Sequence, residues 1–203
     1  MLRDIFYNYI PDLLSDLYFR YGIRLIRAAE EEIDMDAVKR VCVLANSGMG
    51  NITMLMQMLK AIRNAIDGLK LSVVVDSEAS MNLLEKSSLP DKIFVLNDTV
   101  KKNKLLRQIR NEWIDLTIAA TQPNYANAKI AFQTGTLYSI GFQYDYTTHQ
   151  NTDFFFTHPI PFDPQKSEFE QYLDLIRPLG LYRLPELEDR NKMVTGELKP
   201  TQG

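Results

Sequence analysis

The amino-acid sequence predicts an α/β domain built on a doubly wound, mainly parallel β-sheet. Short continuous apolar runs, rich in β-branched residues, alternate with amphipathic helical stretches through the middle of the chain. Continuous apolar runs suit strands buried on both faces, and the alternation implies right-handed βαβ crossovers. The predicted strands are 38–45, 71–75, 93–96, 116–120 and 138–142.

Helical periodicity and capping residues place the helices between and after these strands. Asn97, Asp98 and Thr99 form an N-cap cluster, Ser167 with Glu170 forms a capping box, and Gly180 is suited to a C-cap. The aromatic, proline-bearing stretch 143–164 has no clear period and is predicted to be a long irregular connection. The predicted helices are 52–66, 79–86, 100–113, 125–132 and 167–179.

Three regions follow from this pattern. Residues 1–36 are expected to form an N-terminal helical extension, since apolar residues recur at helical spacing from Leu2 to Tyr21. The sheet domain is expected over 37–185, and 186–203 form a polar tail or a linker to an absent second domain. Acidic residues offset the arginines of the extension, so docking on its own domain or on a partner is favoured over peripheral membrane contact.

Composition excludes several classes of protein. The 203-residue chain carries a net charge of −3, which gives no broad attraction for nucleic acid. Its one cysteine, Cys42, excludes a disulfide framework and is expected to be a buried core residue. Two histidines argue against a histidine-rich zinc site. Without a signal peptide or an apolar run of about 20 residues, a cytoplasmic location is expected.

The loop after the first predicted strand is the best candidate site. Ligands of open parallel sheets bind outside the carboxyl ends of the strands, where this loop is expected to lie. Its two glycines permit a tight turn, and the helix that follows offers unpaired N–H groups to an anion. The loop consists of Asn46, Ser47, Gly48, Met49, Gly50, Asn51, Ile52 and Thr53.

Three interpretations of this loop compete. It is not a P-loop, because the Gly-Lys-Ser/Thr ending is missing. It is a poor dinucleotide fingerprint, because Thr53 stands where glycine or alanine is expected, although Asp76 after the second strand keeps that interpretation open. A glycine turn that only lets the helix pack also remains open.

The segment 41–52 resembles the opening strand, Gly-x-Gly-Asp loop and first helix of the heptosyltransferase-like family, glycosyltransferase family 9. Later segments are similar to that family's following strands and helices, in the same order. They are 71–77, 91–96, 113–119, 135–142 and 172–181. The resemblance covers about residues 38–182.

This resemblance implies a Rossmann-like, acceptor-binding N-terminal half of a two-domain GT-B enzyme of cell-envelope polysaccharide biosynthesis. A second domain or partner chain would bind the nucleotide-sugar donor, and the acceptor would be a glycan or a lipid-linked glycan. The implied reaction is an inverting sugar transfer without metal or other cofactor. The implied location is the cytoplasm, including its membrane-facing periphery.

The chain departs from the family at two positions. The family's aspartate after the second glycine, a general base, falls on Asn51, and an amide cannot take up a proton at neutral pH. Asn51 can still hydrogen-bond an acceptor hydroxyl or position a phosphate. A histidine that opens the family's last helix corresponds to Ser167. His149 is the second-choice catalytic residue, although an exposed polar loop is the favoured interpretation of its surroundings.

Two further features are interpreted as structural. Asp34 and Asp36 have the outline of a metal-binding DxD pair, but a solvated linker is favoured because they lie in a charged run. Trp113 is expected in the core rather than as a sugar platform. The chain stops about where a donor domain would begin. A non-catalytic binding or interaction module therefore stands beside the glycosyltransferase half as an alternative.

Overall fold

The computed structural model describes residues 32–45, 49–96, 102–143 and 155–181. Several predictions fall elsewhere and lie outside the described residues. They concern the N-terminal helix, the first three residues of the candidate loop, the cap cluster at 97–99, His149 and the polar tail.

The described strands form one six-stranded sheet in which every neighbouring pair is parallel. The strands are β1 (Arg40–Ala45), β2 (Lys70–Val75), β3 (Lys92–Val95), β4 (Leu116–Ala119), β5 (Tyr138–Gln143) and β6 (His158–Pro161). Their order is β3-β2-β1-β4-β5-β6. The first strand therefore lies inside the sheet, as predicted, and the direction of winding reverses between β1 and β4.

Helices cover both faces of the sheet, which confirms the doubly wound α/β prediction. They are α1 (Met49–Ala65), α2 (Glu78–Ser87), α3 (Lys102–Asn111), α4 (Tyr125–Thr134) and α5 (Glu168–Ile176), followed by a 3-10 turn, Arg177–Leu179. The buried side chains of α1, α2 and α5 share one core cluster, and those of α3 and α4 share the other.

Strand β1 supplies both clusters in strict alternation. Val41 and Val43 belong to the cluster under α1, whereas Cys42 and Leu44 belong to the cluster under α3 and α4. All four are at most 2% exposed, so the continuous apolar run of this strand reflects burial on both faces. Cys42 is fully buried, which confirms its prediction as a core residue, and this burial raises the pKa of its thiol to about 12.

The predicted caps of the last helix are both present. The Ser167 hydroxyl accepts from the Glu170 N–H, and the Glu170 carboxylate accepts from the Ser167 N–H at 2.8 Å. Gly180 closes the following turn with a φ of 73°, a left-handed conformation that favours glycine.

The prediction of a long irregular connection over 143–164 is wrong at β6. This strand pairs with β5 on one side and lies at the edge of the sheet. Pro159 and Pro161 make its sequence unlike that of a strand. Both prolines are tolerated because the outer side of an edge strand needs no hydrogen-bond partner. Several element boundaries also differ by up to three residues, and α1, for example, begins at Met49 rather than at residue 52.

The prediction that Trp113 belongs to the core is also wrong. Its side chain is 71% exposed, and its φ of 54° places it in the left-handed region. The chain leaves α3 here through a tight turn in which the Trp113 N–H donates to the carbonyl of Arg110 at 3.2 Å. The turn carries the indole outward, away from both core clusters.

Candidate functional site

The candidate loop joins the carboxyl end of β1 to the first turn of α1. Strand β1 ends at Ala45, and α1 then runs for 17 residues from Met49. Gly50 and Asn51 thus belong to the first helical turn, where backbone N–H groups lack partners within the helix. Ile52 is fully buried and anchors this turn to the core, while Thr53 is exposed.

The loop lies at the point where the strand order reverses. Leu44 of β1 pairs with Ala119 of β4, and the two strands continue into helices on opposite faces of the sheet. Open parallel sheets generally bind their ligands in the crevice between two such diverging loops, and we call this region the switch-point crevice. The predicted site and the topological switch point therefore coincide.

A polar loop after β4 lies beside the loop after β1 at the carboxyl ends of the strands, and it was not among the predicted site residues. The carboxamide oxygen of Asn124 caps α4 by accepting from the N–H groups of Ala126 at 2.8 Å and Asn127 at 3.2 Å. The Asn127 amide in turn donates to the Thr121 hydroxyl at 3.2 Å. These bonds fix the loop before any ligand arrives. Its signal is the Thr-Gln-Pro-Asn run directly after the fourth apolar run.

The end of β2 brings a carboxylate to the same edge. Asp76 follows Val75, the last residue of β2, and is exposed. Ser77 then caps α2 by accepting from the Ser80 N–H at 3.3 Å. A dinucleotide-binding domain carries its ribose-binding acidic residue after its second strand, so this position leaves that alternative in place.

The DxD-like pair is a turn. One carboxylate oxygen of Asp34 accepts from the N–H groups of Asp36 at 3.0 Å and Ala37 at 3.4 Å, and both aspartates are exposed. Across residues 32–45, 49–96, 102–143 and 155–181, no group of three histidine, cysteine or acidic side chains could hold a metal ion.

The described groups of the crevice suit binding and orientation. The first turn of α1 offers N–H donors and the positive end of a helix dipole, which together favour a phosphate or carboxylate. Thr53, Thr121 and Asn124 add hydroxyl and amide groups that suit a polyhydroxylated ligand.

Among the described helices, none combines the length and the apolar character that a membrane-spanning segment requires.

Neither a protein-family model nor a curated protein matches the sequence. Solved structures do. A glycosyl transferase family 9 protein from Veillonella parvula DSM 2008 matches with a TM-score of 0.63 and 17% identity, over 85% of this chain and 52% of that one. E. coli heptosyltransferase WaaC with ADP-2-deoxy-2-fluoro heptose matches with a TM-score of 0.55 and 17% identity, over 72% of this chain and 50% of that one.

The E. coli ADP-heptose lps heptosyltransferase II also matches, with a TM-score of 0.55 and 13% identity, over 67% of this chain and 39% of that one. The chain therefore spans about half the length, or less, of the solved structures it matches. At these identities the likeness establishes the fold, a Rossmann-like arrangement of the kind found in GT-B glycosyltransferases.

Proposed function

We propose that this chain is the acceptor-binding half of a heptosyltransferase-like GT-B glycosyltransferase. One observation carries the proposal. A glycine-containing turn at the switch point opens α1, in a fold that aligns over 85% of the chain with a family 9 glycosyl transferase. A second domain or a partner chain would supply the nucleotide-sugar donor.

In this proposal the crevice holds a glycan or lipid-linked glycan acceptor. The backbone N–H groups of the first turn of α1 bind a phosphate or polarised hydroxyl of the acceptor. Asn51 positions the attacking hydroxyl, Thr53 and the loop after β4 hold the rest of the sugar, and Gly48 and Gly50 allow close approach. In this proposal, the remaining contacts with the acceptor come from Asn46, Ser47 and Met49.

The acceptor hydroxyl attacks the anomeric carbon of the donor sugar, and the nucleoside diphosphate leaves from the opposite face. The hydroxyl proton must go to a base, and the Asn51 amide cannot take it. His149 or a group of the donor-binding partner would accept it. The proposal includes a cytoplasmic location with access to the inner membrane face, where a lipid-linked acceptor lies.

Isothermal titration of the 203-residue chain with a phosphorylated oligosaccharide tests the acceptor site. Asn51→Ala is expected to weaken binding about tenfold, the effect of losing one hydrogen bond to the acceptor hydroxyl. Asn64→Ala is the matched control, because it makes the same change at an exposed position of α1, about 20 Å along the helix. Equal affinity of both variants and wild type would contradict the proposal.

The alternative is a non-catalytic module, favoured by the asparagine at position 51. A donor domain added in trans separates the two. Sugar transfer by the combined chains supports the enzyme, whereas acceptor binding without transfer, for both wild type and Asn51→Asp, supports the module. Titration with NADH tests the dinucleotide-binding alternative, which predicts that NADH binds and that its binding depends on the Asp76 carboxylate.

A further inference from the structure

A cavity lies at the amino edge of the sheet, where the parallel strands β1 and β4 begin, opposite the switch-point crevice at their carboxyl ends. We call it the amino-edge cavity and define it by its lining residues Arg40, Arg110, Trp113, Ile114, Asp115, Thr134 and Gly135. Its volume is about 260 Å³, below the roughly 300–1,000 Å³ of pockets for drug-sized ligands. The space suits one small ring, and strand β1 separates it from the candidate crevice by about 17–20 Å.

Trp113 occupies a position that disfavours it. A left-handed φ after a helix end is usually taken by glycine, and a bulky side chain there is strained. Packing does not account for the tryptophan, because its side chain is 71% exposed. A strained, exposed aromatic residue on the rim of a cavity points to a ligand rather than to stability.

The charges around the cavity are balanced. Arg40 and Arg110 each bring a guanidinium, and Asp115 brings a carboxylate. Helices α3 and α4 both end here, and each C-terminus carries about half a negative elementary charge. Since the two positive charges are offset, the cavity favours neither an anion nor a cation.

The polar groups are also held in place. The Asp115 carboxylate accepts from the backbone N–H groups of Lys39 at 2.9 Å and Arg40 at 2.8 Å. The Nε of Arg110 donates to the Gln133 carbonyl at 2.9 Å. Gly135 turns out of α4 with a φ of 72° and leaves its backbone open to the cavity. Donors and acceptors therefore surround the space in fixed positions.

We propose that the amino-edge cavity binds one neutral sugar ring, at a site separate from the acceptor crevice. A sugar ring offers a face of C–H groups to an aromatic ring, and a rim of hydroxyls that both donate and accept. Trp113 supplies the aromatic surface, the guanidiniums donate, and Asp115 with the helix C-terminal carbonyls accepts. This site does not rest on the proposed glycosyltransferase activity.

Tryptophan fluorescence tests the proposal directly, because Trp113 is the single tryptophan of the chain. Glucose, galactose, mannose and N-acetylglucosamine are titrated into the full chain, with glucuronate and glucosamine as charged analogues. At least one neutral sugar is expected to shift the emission saturably, with a dissociation constant of about 1 mM. Arg40→Ala is expected to weaken it about tenfold.

Lys70→Ala is the matched control, since Lys70 opens β2 in register with Arg40, is exposed, and does not line the cavity. It should bind like wild type. Trp113→Gly, followed by saturation-transfer NMR, should lose binding while its unfolding midpoint is no lower than that of wild type. A lower midpoint would show that the tryptophan is kept for packing and would overturn the proposal.

Three other outcomes would also overturn it. They are no saturable response to any neutral sugar, tighter binding of glucuronate than of every neutral sugar, and an emission shift that depends on protein concentration alone. The last would assign Trp113 and the nearby exposed Leu137 to contact with a second copy of the chain.

Discussion

The carboxyl edge of the sheet, where the parallel strands end, and its amino edge, where they begin, differ in what the helices present to a ligand. At the carboxyl edge the helices begin, and Ser77, Asn124 and Ser167 cap them. At the amino edge the helices end, and two helix C-termini meet two arginines around the amino-edge cavity. The helices thus present the positive ends of their dipoles at the carboxyl edge and the negative ends at the amino edge. Our two proposals follow this difference, with a phosphorylated acceptor at the first edge and a neutral sugar at the second.

The largest expected effect concerns the carboxyl edge alone. The isolated chain should not transfer sugar, because donor and acceptor must be held together, and such positioning can contribute about 7–11 kcal/mol to lowering a barrier. Asn51→Asp should not restore transfer, since a new base does not supply a donor site. The measurement is nucleotide release from a panel of nucleotide sugars.

Turnover above the no-enzyme background, by wild type or by Asn51→Asp, would show that this chain binds the donor itself. A heat-denatured sample of each protein is the control for contaminating hydrolysis of the donor.

The next effect concerns the packing of strand β5, which runs from the amino edge to the carboxyl edge of the sheet. Gly141 in β5 lies beneath Phe156, and a Cβ at this glycine would meet the aromatic ring at 2.2 Å. Phe156 is 3% exposed, so its ring has little room to move. Gly141→Ala should lower the free energy of unfolding by about 1–3 kcal/mol, the usual cost of overpacking.

Chemical denaturation measures this change. The double variant Gly141→Ala with Phe156→Leu should lose less stability than the two single variants together, because the smaller side chain relieves the clash. Simple additivity would contradict the contact as its cause.

A comparison of two polar anchors, one at each edge, gives effects of about 1 kcal/mol or somewhat more. At the amino edge, Asp115→Ala leaves the N–H groups of Lys39 and Arg40 without their acceptor and should cost about 1–3 kcal/mol. At the carboxyl edge, Asn124→Ala removes the cap of α4 and should cost about 0.5–2 kcal/mol. Urea denaturation measures both.

The conservative variants Asp115→Asn and Asn124→Asp each keep an oxygen that can accept, so both should retain most of the stability. Equal losses in the alanine variants and the conservative variants would show that packing, rather than hydrogen bonding, holds these two edges.

The smallest effect is a pH dependence at the capping box of α5. The Ser167 hydroxyl and, with a smaller effect, the Ser167 backbone N–H both donate to the Glu170 carboxylate. These hydrogen bonds lower the pKa of the carboxyl group below its ordinary value of 4.5. The capping contribution is therefore present above pH 4.5 and is lost as the pH falls through the lowered pKa. Thermal unfolding of wild type and Glu170→Gln should differ above that range and converge in acid. A difference that persists unchanged in acid would contradict this assignment.

The fold was predictable from sequence wherever one pattern had one physical cause. The run 41–45 is apolar throughout because this part of the strand is buried on both faces, and the capping box of Ser167 with Glu170 is local chemistry. Strand β6 was not predictable, since Pro159 and Pro161 argue against a strand everywhere except at a sheet edge. Only the finished strand order shows that edge.

Of the two loops that form the proposed site, the first could be predicted from the sequence and the second could not. Glycines and the switch-point rule indicate the loop after β1 from local sequence alone. The loop from Thr121 to Asn124 lies opposite it only because Leu44 pairs with Ala119, a contact between residues far apart in the chain. Trp113 was placed in the core because aromatic residues are usually buried, and the left-handed turn that exposes it has no sequence signature.

Amide chemical-shift mapping with a phosphorylated oligosaccharide tests the central claim most directly, namely that the switch-point crevice is the acceptor site. We expect the signals of Gly50, Thr53 and Asn124 to shift with the phosphorylated oligosaccharide and not with its dephosphorylated form, whereas any shift at Arg110, Trp113 and Gly135 should be the same with both forms. Shifts confined to the residues of the amino-edge cavity, or a uniform response across the sheet, would contradict it.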